Sequence, residues 1–527
     1  MNASTEDTLS AEALIAAFQD PGTYPHPVPE GVELVQTHIS RVFLAGDWVY
    51  KLKKPVDLGF LDYSTLEQRR ACCEAEVELN RRLAPRVYER VARITREADG
   101  SLALDGAGET VDYAVVMRRL PAERTFKARV AAGALTVAEV EALAELLADF
   151  HARAARDPRI AAFGEFATVA GNCRENFTQL EPFRGSTIHP EVHRRLAAAT
   201  EARLEALQSS IEARVRRGAP CDCHGDLRLE HVYALDDGLV VVDCIEFNER
   251  FRYGDPLADL AFPVMELERA LRPDLAHALT ERYFARAGED GRELLEHYLA
   301  YRAVVRGKVR SFKAAQDEVP QAERRAARDR ARGHFLYALS LLAPPGEGPL
   351  LLLVGGLPAS GKSTLARGLA ERGFRWIRAD AVRKELAGLA PEDSAAAEFE
   401  GGLYTRAHTE RTYATCLERA QDALFAGERV LVDASFSRAA DRARFAAAAA
   451  ELGVPCRVLV CEASPETTRA RLAARVQTGD ASDADWAIYQ RMAAAFEPVT
   501  EAQVTRIDTE GSPAASIEAA FRAVGTC

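Results

Sequence analysis

The sequence predicts two folded parts of different class. An α+β bilobal domain is expected over residues 1–342, and an α/β domain with a doubly wound parallel sheet over 350–527. Three observations predict this. Strand-type runs crowd the beginning of the chain and long Ala-rich helical runs follow them. Residues 343–349 read "APPGEGP", with three prolines and two glycines in seven positions, which suits a linker and no regular element. Beyond it, apolar strand runs alternate with helical runs to the end.

The elements follow in order. "LSAEALIAAF" opens on Ser10, a suitable helix cap, with apolar residues at helical spacing. "RVFLAGDWVYKLKKP" (41–55) reads as two strands around the turn Gly46-Asp47. "LEQRRACCEAEVELNRRLA" (66–84) is a charged amphipathic helix, and "VDYAVVMRRLP" (111–121) an apolar strand running into a turn. "TVAEVEALAELLADFHARAA" (136–155) begins the helix-rich part. After the linker, "LLLLV" (350–354) is a continuous apolar run of the kind buried on both faces of a parallel sheet. "RWIRAD", "RVLVDAS", "CRVLVCEA" and "AQVTRID" supply further strands between helices.

Composition narrows the function. Hydrophobic residues make up 48% and charged residues 28%, an ordinary globular balance. No run approaches the roughly 18 apolar residues of a membrane span, and the polar start lacks the apolar stretch of a signal peptide, so a cytoplasmic protein without membrane partners is expected. The ten cysteines include one C-x-C, Cys221-Asp222-Cys223, with no second pair at zinc spacing. Reduced, mostly buried thiols are therefore expected. A net charge of −12 argues against binding duplex nucleic acid. Oligomeric state is not legible.

The sharpest motif is Gly356-Leu357-Pro358-Ala359-Ser360-Gly361-Lys362-Ser363, a full G-x-x-x-x-G-K-[ST] between an apolar strand and a helical run that starts near Thr364. Its glycines let backbone N–H groups curl round a phosphate, and the helix points its positive end at the same place. Lys362 would bridge the β- and γ-phosphates of ATP, and the Ser363 hydroxyl would hold Mg²⁺. In "RADAVRKEL", Asp380 stands at the carboxyl end of the next strand, where it could orient or deprotonate an acceptor hydroxyl. Arg383, three residues on, could hold an anionic part of the acceptor. Asp433 ends the strand "RVLVD" and is expected in the Mg²⁺ shell. Arg469, Arg471 and Arg475 lie on or near one helix, with Arg471 and Arg475 sharing a face, as in a mobile lid over the nucleotide. Together these residues resemble the P-loop kinases of the polynucleotide-kinase and zeta-toxin type over about 350–527, which implies ATP-dependent phosphotransfer.

"HGDLRLEH" (224–231) carries the other chemistry. It resembles the catalytic loop of protein-kinase-like phosphotransferases, which implies that Asp226 takes the proton of an acceptor hydroxyl and that Asp243, delivered by the apolar run "GLVVVD", holds Mg²⁺. Lys51 follows an apolar pair on a strand and would meet ATP phosphates, with Lys53 on the same face as the alternate. Glu76 lies in the helix that would orient that lysine, with Glu78 as second choice. "YGDPLADLAF" (253–262) matches a segment of aminoglycoside phosphotransferases, with Asp255 and Asp259 expected to brace the catalytic loop.

Residues 1–340 thus resemble the aminoglycoside phosphotransferase and choline-kinase superfamily, and the whole chain resembles bifunctional aminoglycoside phosphotransferase/ATP-binding proteins. The resemblance implies an α+β bilobal protein-kinase-like domain followed by an α/β P-loop NTPase domain, two ATP sites, Mg²⁺, and small-molecule hydroxyl acceptors. The family pattern places Asn where this chain has His231. The usual Asn offers Mg²⁺ a hard oxygen, whereas imidazole offers nitrogen, which that ion accepts poorly. Three arrangements meet the change: Asn248 or Glu246 supplies the ligand, one well-held metal suffices, or the lobe senses a ligand with little turnover. Presence of both Asp226 and Asp243 favours retained chemistry. Two other functions stay open: a kinase-like sensor governing the P-loop kinase, and a nucleotide-switched binding module.

Overall fold

The structure is a computed structural model and describes residues 10–59, 61–389, 405–478, 486–500 and 503–525; the side chains of 475–478 lie outside the described residues. The chain forms two compact units. One comprises residues up to Val169 with Ser209–Leu295, the other Ala170–Gln208 with Glu296 onward.

The first unit begins with helix Ala11–Gln19, capped by Ser10, whose hydroxyl accepts from Ala13 N at 3.1 Å. A six-stranded antiparallel sheet follows: β1 (Val32–Gln36), β2 (Ser40–Ala45), β3 (Trp48–Lys53), β4 (Tyr88–Arg96), β5 (Leu102–Leu104) and β6 (Glu109–Arg118). Its order is β1-β2-β3-β6-β4-β5. The turn at Gly46 needs a left-handed residue (φ 59°), so β2 and β3 close with Ala45 opposite Trp48. One sheet face packs Phe43, Tyr50, Leu52, Ala92, Ile94 and Val116 against Leu14 and Phe18 of the first helix. The other receives helix Leu66–Asn80, fixed by a capping box between Thr65 and Gln68. This helix stops four residues short of the expected Ala84. Asn80 turns its amide to Glu76 O and to Cys244 N, at 2.9 Å each, and ends the run.

The rest of this unit is helical apart from two small ribbons. β7 (Cys221–Asp222) pairs with β10 (Tyr253–Gly254), and β8 (Val232–Leu235) with β9 (Gly238–Val241). The expected helix after Thr136 runs Val137–Arg153.

In the second unit, five parallel strands stand in the order β12-β13-β11-β14-β15: β11 (Leu350–Gly355), β12 (Phe374–Arg378), β13 (Arg429–Asp433), β14 (Cys456–Glu462) and β15 (Val504–Asp508). β11 lies at the centre and every one of its residues is buried, as its uninterrupted apolar run requires. Helices Lys362–Ala370 and Pro513–Gly525 cover one face through Leu365, Leu369, Ala520 and Val524. Helices Arg406–Phe425 and Ala439–Glu451 pack together, with Tyr413, Phe436 and Phe445 in edge-on ring contact.

The compact unit does not begin at the Pro/Gly run. It also takes in 170–208 and 296–342. Arg195 explains part of this, because its guanidinium donates to the carbonyls of Gly427 and Glu347 at 2.7 Å each, while Arg332 stacks 4.2 Å from the Phe425 ring. Among the described residues no helix is long and apolar enough to cross a membrane, and the cysteines are free thiols.

Leu352 sits wholly buried in the central strand. Leu352→Ala is expected to destabilise the P-loop half by about 2–5 kcal/mol, read as a lower denaturant midpoint in the fluorescence of Trp376, which packs on the same core.

Candidate functional site

In the first unit the sheet, helix 66–80 and the loop after β9 bring five charged side chains together. Period-two alternation puts Lys51 and Lys53 on one face of β3. Lys51 Nζ donates to Glu76 Oε1 and to Asp243 Oδ1, at 2.8 Å each. Lys53, with no exposed side-chain surface, bridges Glu76 and Glu246. Tyr63 adds a 2.7 Å hydrogen bond to Glu246. The lysine–Glu76 pairing read from the sequence is present, and both lysines share it. Glu78 faces solvent.

This cluster sets the charges. Lys51 beside it holds the Asp243 carboxyl well below the usual carboxylate range. Burial opposes ionisation of Glu76, but Lys51 and Lys53 outweigh it and hold that carboxyl low. Burial likewise opposes the charge on Lys51, and Asp243 with Glu76 reverses the effect. Asp243 has a left-handed backbone (φ 66°), and 45% of its side chain remains exposed. A fixed, ionised and accessible carboxylate suits a hard cation, so Mg²⁺ fits at Asp243.

Asp226 lies in the loop between β7 and β8. Asp259 anchors that loop by accepting from His224 N at 2.5 Å and Gly225 N at 2.8 Å. Gly225 is required there: its φ is 88°, and a Cβ would stand 2.7 Å from Phe251 O. The His224 ring donates from Nε2 to Val242 O at 3.1 Å, and burial pushes its pKa down to about 4 against the opposing pull of Asp259. Asp255 braces a different place. It caps helix Pro256–Arg269 and grips Arg214, which also holds Glu289.

The position of His231 answers part of the metal question. Its Nδ1 is 2.8 Å from the carbonyl oxygen of Asp226, and its Nε2 is 2.8 Å from Arg228 Nη2 and 3.5 Å from Asp243 Oδ2. Glu246, a candidate replacement ligand, has its Oε1 held by Lys53 and, at 2.7 Å, by Tyr63. Asn248, the other candidate, accepts from Arg250 N at 3.0 Å through Oδ1 and caps helix Glu249–Arg252. Arg228 carried no signal in the sequence reading, yet its Nε donates to Asp226 Oδ2 at 2.9 Å.

In the second unit the loop after β11 carries the phosphate-binding geometry. Gly356 has φ 140°, and a Cβ there would lie 2.6 Å from Cys461 O. Gly361 (φ 89°) stands before helix Lys362–Ala370, where a Cβ would crowd Thr509. Ala359 takes a left-handed φ of 57°. Lys362 Nζ bonds to Leu357 O at 2.7 Å, Pro358 continues the loop, and Thr364 is exposed on the third helical residue. The Ser360 hydroxyl is buried with no hydrogen-bond partner among the described residues. An orphaned buried donor inside a glycine-shaped cradle fits a bound phosphate. Asp433, at the end of β13, faces Lys362 and the Ser363 hydroxyl; burial pushes its carboxyl above the ordinary range and these neighbours offset only part of that. Ser363 and Asp433 thus offer hard oxygens where Mg²⁺ would relieve a buried carboxylate.

Asp380 is the second residue of helix Ala379–Leu386 rather than the strand's last, since β12 ends at Arg378. It lies 3.9 Å from Arg383 and 3.8 Å from Lys384, a buried cation that the sequence reading passed over. Arg471 is not a free lid residue. Its guanidinium donates to Ala359 O at 3.3 Å and grips Thr509, so it braces the phosphate loop. Arg469 lies over Trp486 at 4.2 Å, and the side chain of Arg475 is outside the described residues. Thr509 itself donates to Ser360 O at 2.8 Å, a brace no motif announced.

Two family models match the chain, and the first runs through 170–208, which pack with the second compact unit. Residues 40–297 match the "Phosphotransferase enzyme family" and residues 351–499 the "AAA domain". Uncharacterized protein Rv2004c of Mycobacterium tuberculosis (strain ATCC 25618 / H37Rv) is 33% identical over 502 residues, 94% of this chain and 96% of the relative. Uncharacterized protein Mb2027c of Mycobacterium bovis matches to the same extent. The chain belongs to a family that joins a kinase-like phosphotransferase domain to a P-loop AAA domain. Among solved structures, the GDP complex of wild-type aminoglycoside 2'-phosphotransferase-IIIa covers 60% of this chain and 98% of itself, at 16% identity and TM-score 0.39. A gluconokinase from Sinorhizobium meliloti 1021 covers 34% of this chain and 93% of itself, at 20% identity and TM-score 0.26.

Two outcomes are expected. Asp243, held low when folded, contributes stability that is fully present above the unfolded pKa and is lost as pH falls through the folded one. The stability difference between wild type and Asp243→Asn should therefore hold near neutrality, and should shift against wild type below about pH 4, measured by urea unfolding across the acid range. Gly356→Ala should impose about 1–3 kcal/mol of backbone strain and weaken MgATP binding at the phosphate loop by roughly tenfold or more, measured by calorimetry.

Proposed function

We propose that the protein is an ATP-dependent phosphotransferase with two separate nucleotide sites, each passing the γ-phosphoryl group to a hydroxyl of a small molecule. One recurring observation carries this reading. Each compact unit holds a lysine against an accessible or cation-seeking carboxylate: Lys51 with Asp243 at 2.8 Å, and Lys362 facing Asp433.

In the first unit Lys51, oriented by Glu76, would meet the phosphates of ATP, and Asp226 would stand at the acceptor hydroxyl. Arg228 holds Asp226 Oδ2, and 25% of the Asp226 side chain is exposed. Asp226 takes the hydroxyl proton as the acceptor oxygen bonds to the γ-phosphorus. The bond from that phosphorus to the β,γ-bridging oxygen breaks, and ADP leaves. In the second unit the backbone amides of 356–363, the Ser360 hydroxyl and Lys362 would hold the triphosphate, and Asp380 would orient the acceptor with Arg383 beside it. Mg²⁺, when bound at Asp243 or at Ser363 and Asp433, neutralises charge on the phosphate oxygens.

A second reading has one observation in its favour. His231 offers the first site no hard oxygen, and its ring nitrogens already have partners, which suits a ligand sensor of low turnover. Labelling a small-metabolite extract with γ-labelled ATP separates the readings, using the full chain as wild type, Lys362→Ala and Asp226→Ala. The two-site reading expects each variant to lose a different set of labelled products. Products unchanged by Asp226→Ala would favour the sensor. No labelled product from wild type would leave a nucleotide-switched binding module.

A further inference from the structure

The place of the missing asparagine is filled by a pair, His231 and Arg228, and the pair divides two tasks. An asparagine there carries an oxygen that can ligate a cation and an NH₂ that can donate to the loop. His231 keeps the second task. The Asp226 carbonyl, 2.8 Å from Nδ1, can only accept, so Nδ1 carries the hydrogen. Arg228 Nη2, 2.8 Å from Nε2, can only donate, so Nε2 presents its lone pair to the guanidinium. Both contacts fix the orientation of the ring. They turn both ring nitrogens to protein partners, while Lys53 and Tyr63 hold Glu246 Oε1 and Asn248 Oδ1 caps a helix.

The charge that bears on the first task is that of Arg228, which reaches Asp226 directly and Asp243 by way of His231. Its side chain is 15% exposed and its charge is permanent. Nε bonds to Asp226 Oδ2 at 2.9 Å, and Nη2 touches the His231 nitrogen that lies 3.5 Å from Asp243 Oδ2. Glu230 grips the guanidinium from the far side and is itself held by Lys127 at 2.5 Å. The next residue of the loop, Leu229, is fixed by Glu266 through a 2.8 Å bond to its N–H. The cation is therefore held by Asp226, Glu230 and His231 at once, and a divalent ion placed beside it would be repelled.

We propose that Arg228 is a built-in replacement for the second metal ion of the first site, so that this half works with one divalent cation, at Asp243, and one fixed guanidinium facing the transferred phosphoryl group. This rests on the first site being a nucleotide-dependent phosphotransferase. A planar, forked donor suits phosphoryl oxygens, and its position costs no metal-binding step.

The test counts metal per nucleotide and does not depend on turnover. The full chain carrying Lys362→Ala and Ser363→Ala, to silence the phosphate loop, is titrated with Mn²⁺ and a non-hydrolysable ATP analogue. Bound Mn²⁺ is counted by electron paramagnetic resonance and bound nucleotide by equilibrium dialysis. One Mn²⁺ per nucleotide is expected, and one also when Arg228→Lys is added, because the charge is kept. Adding Arg228→Gln with His231→Asn should raise the count to two. Two Mn²⁺ per nucleotide with Arg228 present, or one in the Arg228→Gln/His231→Asn protein that still binds nucleotide, overturns the proposal. A background protein that binds no nucleotide overturns the reading of the first site on which the proposal stands, and the proposal with it.

Discussion

A carboxylate with no exposed surface must be paired or neutralised, and Glu76 is paired twice. Lys51 and Lys53 reach it from alternate positions of one strand, and each lysine carries the link onward. Lys51 continues to Asp243 and Lys53 to Glu246, so two points of the segment after β9 are tied to the sheet and to helix 66–80 at once. Removal of Glu76 would leave two lysines short of their shared partner and free the helix from the strand. The placement of Asp243 against Asp226, and with it any metal or phosphoryl chemistry between them, depends on this doubled ion pair.

The second unit reaches a similar end by other means. Lys362 faces the buried carboxylate of Asp433. The unit's strongest constraints are backbone ones: glycines at 356 and 361 where side chains would collide, and a left-handed Ala359 held by Arg471 and by an apolar cluster with Leu472 and Tyr489. Lys362 bonds to a carbonyl of its own loop, a neutral contact that a phosphate easily displaces. Under the proposed function, a phosphate in the first unit would draw Lys51 partly away from Asp243, and a cation on Asp243 would compensate for the ammonium that turns to it.

How much of this was legible follows from how far each signal reaches along the chain. The phosphate loop is local, so eight consecutive residues specified its motif, its helix and its lysine. Lys51, Lys53 and Glu76 were legible through the period of a strand and the face of a helix, although the sequence made the lysines alternatives where the structure uses both. Glu246 misled because its partner lies 193 residues away, and a carboxylate near a metal site reads as a ligand until a buried lysine is found to own it. Arg471 misled for the same reason: a helical arginine after a phosphate loop suggests a lid, and only the fold brings Ala359 and Thr509 under it. The Pro/Gly run marked a change of composition correctly, but packing ignores composition. Arg195, well upstream, anchors a helical segment to carbonyls near the P-loop sheet.

His231 read alone is a defect, since nitrogen replaces oxygen at a position that favours a hard ligand. Read with Arg228 it is half of a compensated exchange. The loop-holding hydrogen bond is kept by Nδ1, and the positive charge is moved from an exchangeable ion to a covalently attached one. Neither substitution serves without the other. Histidine without the guanidinium leaves the space between Asp226 and Asp243 short of charge, and the guanidinium beside an asparagine would set two donors, its own and the amide's, against one another or drive off the metal the asparagine's oxygen was meant to hold. The two residues are three apart on one loop, and only the closed loop, pinned by Asp259 through two backbone amides, brings their nitrogens to 2.8 Å. The loop is therefore better described by the pair than by the departure at His231 alone.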